Sequence, residues 1–181
     1  MKKKILYILL ALVTIIIILT QFGLQIGNVR IGKQVDMFTV QDTNFENSAF
    51  YKNYYSKDEL VILNLWATWC KPCIAEMPML NKVKKQYFNK RVHFLSLSID
   101  KDSIKLRKFL NSDKFNFTDI TFDNIKHHKS ILNTLEGNKT DQHIYSQSVP
   151  VTYIIKNKKI LYKSLGEIEE EKLISQINQH Q

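Results

Sequence analysis

The sequence predicts an α/β protein in which helices flank one central, mixed β-sheet. A short apolar run at Val61–Trp66 is followed at once by Cys70–Phe88, whose apolar residues recur at spacings of three and four. Similar β-rich and amphipathic segments then alternate to the C terminus. The order of strand, helix, strand, helix, hairpin and helix is typical of an α/β fold with a mixed sheet.

Hydrophobic patterns place the individual elements. Val61–Trp66 is almost continuously apolar, which suits a strand buried on both faces. Residues between Asn28 and Lys57 are expected to be irregular, with one extended piece at Met37–Val40. The elements expected after the first helix are a strand at Val92–Ile99, a helix from Asp102 or Ser103 to Leu110, a short strand near Phe117–Phe122, a helix at Asn124–Leu135, a hairpin of Val151–Ile155 and Ile160–Leu165, and a helix at Ile168–Asn178.

Residues 1–27 are predicted to be a membrane anchor, and residues 28–181 the folded domain. Three lysines, Lys2 to Lys4, precede an uncharged run whose part from Ile5 to Ile26 has 22 residues. A helix of about 20 residues crosses the hydrocarbon core of a bilayer. The lysines are expected to stay on the cytoplasmic side, which places the domain outside the cytoplasm. A cleaved signal peptide is the alternative, because the most apolar part, Ile5–Leu19, is short.

Composition excludes several classes of protein. The 181 residues include 26 Lys+Arg and 17 Asp+Glu, which gives a formal net charge of +9. The basic residues are dispersed among acidic ones and form no basic arm interleaved with aromatic residues, so nucleic acid is not an expected partner. A solvated surface that faces anionic lipid is the simpler interpretation. The two cysteines are too few for a disulfide framework and two ligands short of an all-cysteine zinc site.

The two cysteines stand where the first strand gives way to the first helix. The two residues between Cys70 and Cys73 bring both sulfurs to the first helical turn, where the helix dipole and free N–H groups favour a thiolate. Lys71 adds a cation, and Pro72 fixes φ in that turn. Cys70 is therefore expected to attack a client disulfide, and Cys73 to resolve the mixed disulfide. A static disulfide or half of a metal site is the alternative.

The run Trp66–Cys73, WATWCKPC, closely resembles the active site of the thioredoxin superfamily. From about Ile31 to the C terminus, the chain is similar to the membrane-anchored TlpA/ResA-like thiol-disulfide oxidoreductases of bacteria. Glu76 matches the glutamate of that family's C-x-x-C-x-x-E-x-P run, and Ser148–Pro150 resembles its cis-proline loop. The resemblance implies a thioredoxin-like fold with an αβ insertion between residues 101 and 148.

The resemblance also implies roles for individual residues. Asn64 stands six residues before the first cysteine, where cytoplasmic thioredoxins carry a titratable aspartate, so proton transfer is expected to fall to Glu76. A surface glutamate is the alternative for this position. A cis bond before Pro150 turns the Val149 backbone towards Cys70, where it can bind a client strand; a trans proline that opens a strand is the alternative. The residues expected to contact a client are Trp69, Lys71, Pro72, Val149 and Pro150.

The implied function is extracytoplasmic thiol-disulfide exchange at a bacterial cytoplasmic membrane. The enzyme would need no cofactor beyond the Cys70–Cys73 pair and would use no metal. It would reduce exported proteins such as apocytochrome c and be recharged by a membrane thiol-electron carrier. Two other classes stay open: thioredoxin-fold copper delivery, which usually separates its cysteines by three residues, and a non-catalytic module that holds client strands in its groove.

Overall fold

The computed structural model describes residues 2–22, 24–26, 29–31, 42–88, 90–112, 116–137 and 148–181. The chain divides into two compact units, Met1–Asp36 and Met37–Gln181. The extended piece expected at Met37–Val40 lies outside the described residues.

The first unit contains helix α1 (Lys2–Phe22) and a short antiparallel pair, β1 (Leu24–Ile26) and β2 (Val29–Ile31). The expectation that the uncharged run stays helical to Ile26 is therefore wrong at its end. Glycine, a poor helix former, stands at position 23, and the residues after it pair as a strand instead. Among the residues that the structure describes, no helix meets the length and apolarity needed to cross a membrane.

The second unit is built on a five-stranded mixed sheet, as predicted. Its strands are β3 (Leu60–Trp66), β4 (Val92–Ser98), β5 (Thr118–Asp119), β6 (Val151–Lys156) and β7 (Lys159–Leu165). They lie in the order β5-β4-β3-β6-β7, with β3, β4 and β5 parallel and with β6 antiparallel to both of its neighbours. The central strand, β3, is buried along its whole length, which confirms the expectation drawn from its continuous apolar run.

Helices cover both faces of this sheet. They are α2 (Lys71–Gln86), α3 (Ser103–Leu110), α4 (His128–Glu136) and α5 (Glu170–His180). Because successive side chains of a strand point to opposite faces, β3 contributes to two hydrophobic clusters. Leu63 lies in the cluster that includes residues of α4, whereas Ile62 lies in the cluster that includes residues of α5. Helix α2 contributes residues to both clusters.

Residues 42–57 are more ordered than expected. They include two short helical turns, Phe45–Asn47 and Tyr51–Tyr55, and the rings of Phe45 and Tyr55 pack edge to face with centroids 5.0 Å apart. Phe50 is fully buried against the main core. The sequence of this segment has no helical hydrophobic period. Its conformation is fixed instead by the tertiary packing of its aromatic rings.

The register of β3 and β6 brings together the loop that follows β3 and the loop that precedes β6. Leu65, near the end of β3, pairs with Val151 at the start of β6. The loop that leaves β3 and the loop that enters β6 therefore meet at the same end of the sheet. At the opposite end, β6 and β7 form the predicted hairpin through Asn157 and Lys158, whose φ values of 47° and 64° suit a type I′ turn.

Candidate active site

A disulfide joins Cys70 and Cys73 at the start of α2, with their Cα atoms 5.3 Å apart. Cys70 is the N-cap residue of the helix, and its Sγ accepts a hydrogen bond of 3.2 Å from the backbone N–H of Cys73. After reduction, the same N–H and the helix dipole stabilise a thiolate on Cys70. Pro72 lies in the first turn, where a backbone N–H has no partner within the helix.

The surroundings of the disulfide differ on its two sides. Cys73 is fully buried, whereas 4% of Cys70 is exposed. Trp69, directly before Cys70, is 64% exposed, and Lys71 is also at the surface. Cys73 therefore faces the core and Cys70 lies beside the exposed Trp69 and Lys71, whose contact with a client remains a prediction. This asymmetry is the one that the assignment of attacking and resolving thiols requires.

The loop before β6 lies against the disulfide. The Val149–Pro150 peptide bond is cis, as the resemblance implies, and the Val149 carbonyl oxygen is 3.5 Å from Sγ of Cys70. In the dithiol form, the Cys70 thiol can donate a hydrogen bond to this oxygen. Contact of Val149 and Pro150 with a client remains a prediction.

Glu76 is a buried carboxyl group, 4% exposed, and not a surface glutamate. Its Oε1 accepts a hydrogen bond of 2.9 Å from the Asn64 amide, and its Oε2 accepts one of 3.3 Å from the backbone N–H of Ile168. Burial raises the pKa of Glu76 to about 7; these two hydrogen bonds oppose the rise, and the charge of Glu167 adds to it. At neutral pH this group can both accept and return a proton.

Asn64 connects this carboxyl group to the sheet. The residue is 2% exposed, and its Nδ2 also donates to the hydroxyl of Thr152 at 3.2 Å. Its Oδ1 is buried without a hydrogen-bond partner among the residues that the structure describes. The amide therefore has one acceptor that the described residues leave unused, and rotation of the amide would bring it towards position 76.

Sequence reasoning missed Asp100, which fixes the loop before Cys70. The Asp100 carboxylate accepts hydrogen bonds of 2.7 Å from the backbone N–H of Thr68, from the Thr68 hydroxyl and from the Ser98 hydroxyl. Asp100 is itself buried. A signal was present in the sequence, because Thr68 and Asp100 each follow one of two expected strands that a helix connects, and such a connection is typical of parallel strands.

The buried side chain of His128 contacts the end of β4, close to Asp100. Nε2 of His128 lies 2.8 Å from the Ser98 carbonyl oxygen, which can only accept, so Nε2 carries the proton. Burial lowers the pKa of His128 to about 4, and the ring is therefore neutral at physiological pH. Within the described parts of the chain, no group of three or more His, Cys, Asp or Glu side chains is arranged to hold a metal ion.

Comparisons with known proteins agree with this geometry. Residues 31–164 match the AhpC/TSA family. The chain is 32% identical over 134 residues to the thioredoxin-like protein YneN of Bacillus subtilis, which covers 72% of this chain and 68% of that protein. It is 29% identical over 145 residues to the thiol-disulfide oxidoreductase ResA of Bacillus cereus, which covers 80% and 75%. To ResA of Bacillus thuringiensis it is 37% identical over 82 residues, and the chain spans about half of that relative, 46%.

Solved structures show a similar fold. The thiol:disulfide interchange protein DsbE from Chlorobium tepidum gives a TM-score of 0.54 at 24% identity, over 69% of this chain and 82% of the other. The exposed lipoprotein thioredoxin of Streptococcus pneumoniae gives 0.53 at 17% identity, over 68% and 87%. At these identities the likeness concerns the fold alone, and it confirms that the second unit is thioredoxin-like.

Proposed function

The chain belongs to the AhpC/TSA family, and from this premise we propose that it is a thiol-disulfide oxidoreductase that exchanges electrons with protein clients. One observation carries the proposal. Sγ of Cys70 caps α2, accepts the N–H of Cys73 and lies beside the Val149 carbonyl oxygen, next to the exposed Trp69. After reduction, the Cys73 N–H and the helix dipole favour a thiolate on Cys70 that can attack a client disulfide, and Cys73 can then close the disulfide that the structure contains.

In the reducing direction, the reaction begins with the dithiol form. The Cys70 thiolate attacks one sulfur of a client disulfide, and a mixed disulfide forms while the other client sulfur leaves and takes a proton. The Cys73 thiol then loses its proton and attacks Sγ of Cys70. The second client sulfur leaves as a thiolate and takes up a proton. The client has then gained two electrons from the enzyme and two protons, one released by Cys73 and one from water, and the enzyme is the disulfide.

Glu76 is the group proposed to take the proton from Cys73. It lies three residues further along α2, so its side chain stands one helical turn beyond that cysteine on the same face. Asn64, the residue at the position of the usual aspartate, cannot titrate. The raised pKa of Glu76, about 7, matches the requirement for a group that gains and loses a proton near neutral pH.

We place this activity on the outer side of a bacterial cytoplasmic membrane, with residues 1–27 as the anchor. Lys2 to Lys4 and the uncharged run that follows support this orientation. The proposed clients are exported thiol proteins, apocytochrome c among them, and the proposed reductant is a membrane thiol-electron carrier. No cofactor beyond the Cys70–Cys73 pair is required.

Activity and client trapping test the proposal. The full chain, purified in a non-ionic detergent, should catalyse the reduction of insulin by dithiothreitol, and Cys70→Ser should abolish this turnover. Cys73→Ser should hold clients covalently on Cys70, and these clients should be released by added thiol. A protein that binds clients without turnover would support the non-catalytic module, and one that binds copper(I) without turnover would support metal delivery.

Location needs a separate experiment. A reporter enzyme that is active only beyond the cytoplasmic membrane, fused after Gln181, should be active, and the chain should sediment with membranes. An inactive fusion together with intact protein in the cytosol would contradict the anchor and leave the exchange chemistry untouched.

A further inference from the structure

A groove of about 370 Å³ opens beside the candidate active site on the α3 side. Its lining residues are Thr68, Lys105, Lys108, Phe109 and Ser112. Thr68 lies two residues before Cys70 and directly before the exposed Trp69. Any client that presents a disulfide to Cys70 therefore has part of its chain within reach of this groove.

The groove has an apolar floor and a fixed wall. The ring of Phe109 packs against Trp66, with centroids 5.0 Å apart, and Leu106 anchors α3 in the core. The opposite wall is held by the hydrogen bonds from Thr68 to Asp100. The surface is thus formed before a client arrives, so little conformational entropy is lost on binding.

The rim of the groove is cationic. Lys105 and Lys108 are three residues apart on α3, which places both ammonium groups on the same side of the helix. Both are exposed, and neither forms an ion pair with a residue in the described part of the chain.

Two acidic residues of the described chain lie near this rim, and the carboxylates of both accept hydrogen bonds from nearby residues of the domain. Asp100 is buried and accepts its hydrogen bonds from Thr68 and Ser98. The Asp102 carboxylate caps α3 and accepts from the N–H groups of Ile104 and Lys105. On the other side of Trp69, Lys71 adds a further exposed cation.

We propose that this groove selects clients in which the segment next to the reactive cysteine carries an apolar side chain flanked by Asp or Glu. The apolar side chain contacts Phe109, and the carboxylates face Lys105 and Lys108. The inference rests on the proposed thiol-disulfide exchange and names the class of substrate for it. Charge complementarity of this kind acts mainly on the rate of association.

Three synthetic peptides with the same internal disulfide provide the probe. Next to one cysteine they carry Glu-Phe-Glu, Gln-Phe-Gln or Lys-Phe-Lys. The pre-reduced full chain, in non-ionic detergent, is mixed with each peptide, the reaction is quenched with acid, and the products are separated by chromatography. At low ionic strength the acidic peptide should react about tenfold faster than the basic one, and the difference should shrink in 0.5 M salt.

Two variants locate the effect. Lys105→Glu with Lys108→Glu should reverse the order of the acidic and basic peptides. The control Lys57→Glu with Lys159→Glu changes the net charge equally at the end of the sheet opposite the active site. It should keep the wild-type order of the three peptide rates. Equal rates for the three peptides, or an order unchanged by the α3 variant, would overturn the proposal. Failure of the wild type to reduce even the Gln-Phe-Gln peptide would instead overturn the exchange activity itself.

Discussion

Replacement of Glu76 by glutamine tests the buried carboxyl group most directly. The side chains have nearly the same shape, and the new amide donor needs an acceptor where Glu76 now receives two hydrogen bonds. Asn64 can supply it, because its Oδ1 has no partner among the described residues and rotation of its amide turns that oxygen towards position 76. The Ile168 N–H can then donate to the glutamine oxygen. We therefore expect the variant to fold.

The size of the effect on stability follows from the raised pKa. Between pH 4.5, the ordinary value, and about 7, the folded protein holds a proton that the unfolded chain has released. The free energy of unfolding therefore falls as pH rises through this range, by about 3 kcal/mol in total at ~1.4 kcal/mol for each pH unit. The loss is fully present above pH 7 and absent below pH 4.5. Glu76→Gln lacks this titration. As pH rises from 5 to 8, the free energy of unfolding of the variant should therefore increase by about 2 to 3 kcal/mol relative to that of wild type.

Glu76→Gln should exchange disulfides more slowly than wild type, although it is expected to be more stable. Without a group that accepts the proton of Cys73, resolution of the mixed disulfide should slow by about 10²-fold, the lower end of what a positioned acid or base contributes. The wild-type rate should change across pH 7, and the variant should lack that inflection. The variant is therefore expected to be more stable and less active than wild type at pH 8.

Urea unfolding and insulin reduction, each measured from pH 5 to pH 9, give both quantities. Glu171→Gln is the matched control, because Glu171 is exposed on α5 and its replacement removes the same charge from the surface. Superimposable rate profiles for wild type and Glu76→Gln would refute the proton-transfer role. A stability difference that does not change with pH would refute the raised pKa.

Two further predictions concern the loop and the thiols. In the reduced chain, iodoacetamide should label Cys70 before Cys73, as read by peptide mapping, because Cys73 is fully buried and Cys70 is not; preferential labelling of Cys73 would reverse their roles. Asp100→Ala should lower the free energy of unfolding by about 1 to 3 kcal/mol, since the Thr68 and Ser98 donors lose their acceptor, and urea unfolding measures it. A variant within 0.5 kcal/mol of wild type, roughly the scatter of surface substitutions, would show that this contact contributes nothing.

The order of the elements could be predicted because hydrophobic period and burial go together in this domain. The unbroken apolar run of β3 corresponds to a strand covered on both faces, and the hairpin of β6 and β7 turns through two residues between β-rich runs. The segment around Phe50 could not be predicted, since its helical turns depend on aromatic rings that meet only after folding. The end of α1 differed for a local reason, a glycine followed by residues that pair as a strand.

The candidate site divides in the same way between local and long-range information. Cys70 and Cys73 are neighbours along one helical turn, so their chemistry can be inferred from spacing alone. The partners of Glu76 come from β3 and from residues just before α5, and those of Asp100 come from the loop after β3 and from the end of β4. The type of a residue shows that it can titrate, but the direction of its pKa depends on burial and on donors distant in sequence. Glu76 could therefore be chosen from its position after Cys73, whereas its pKa of about 7 required the fold. The hydrogen bonds between Asp100 and Thr68 depend on both the parallel order of β3 and β4 and their register, and that register is known only from the fold.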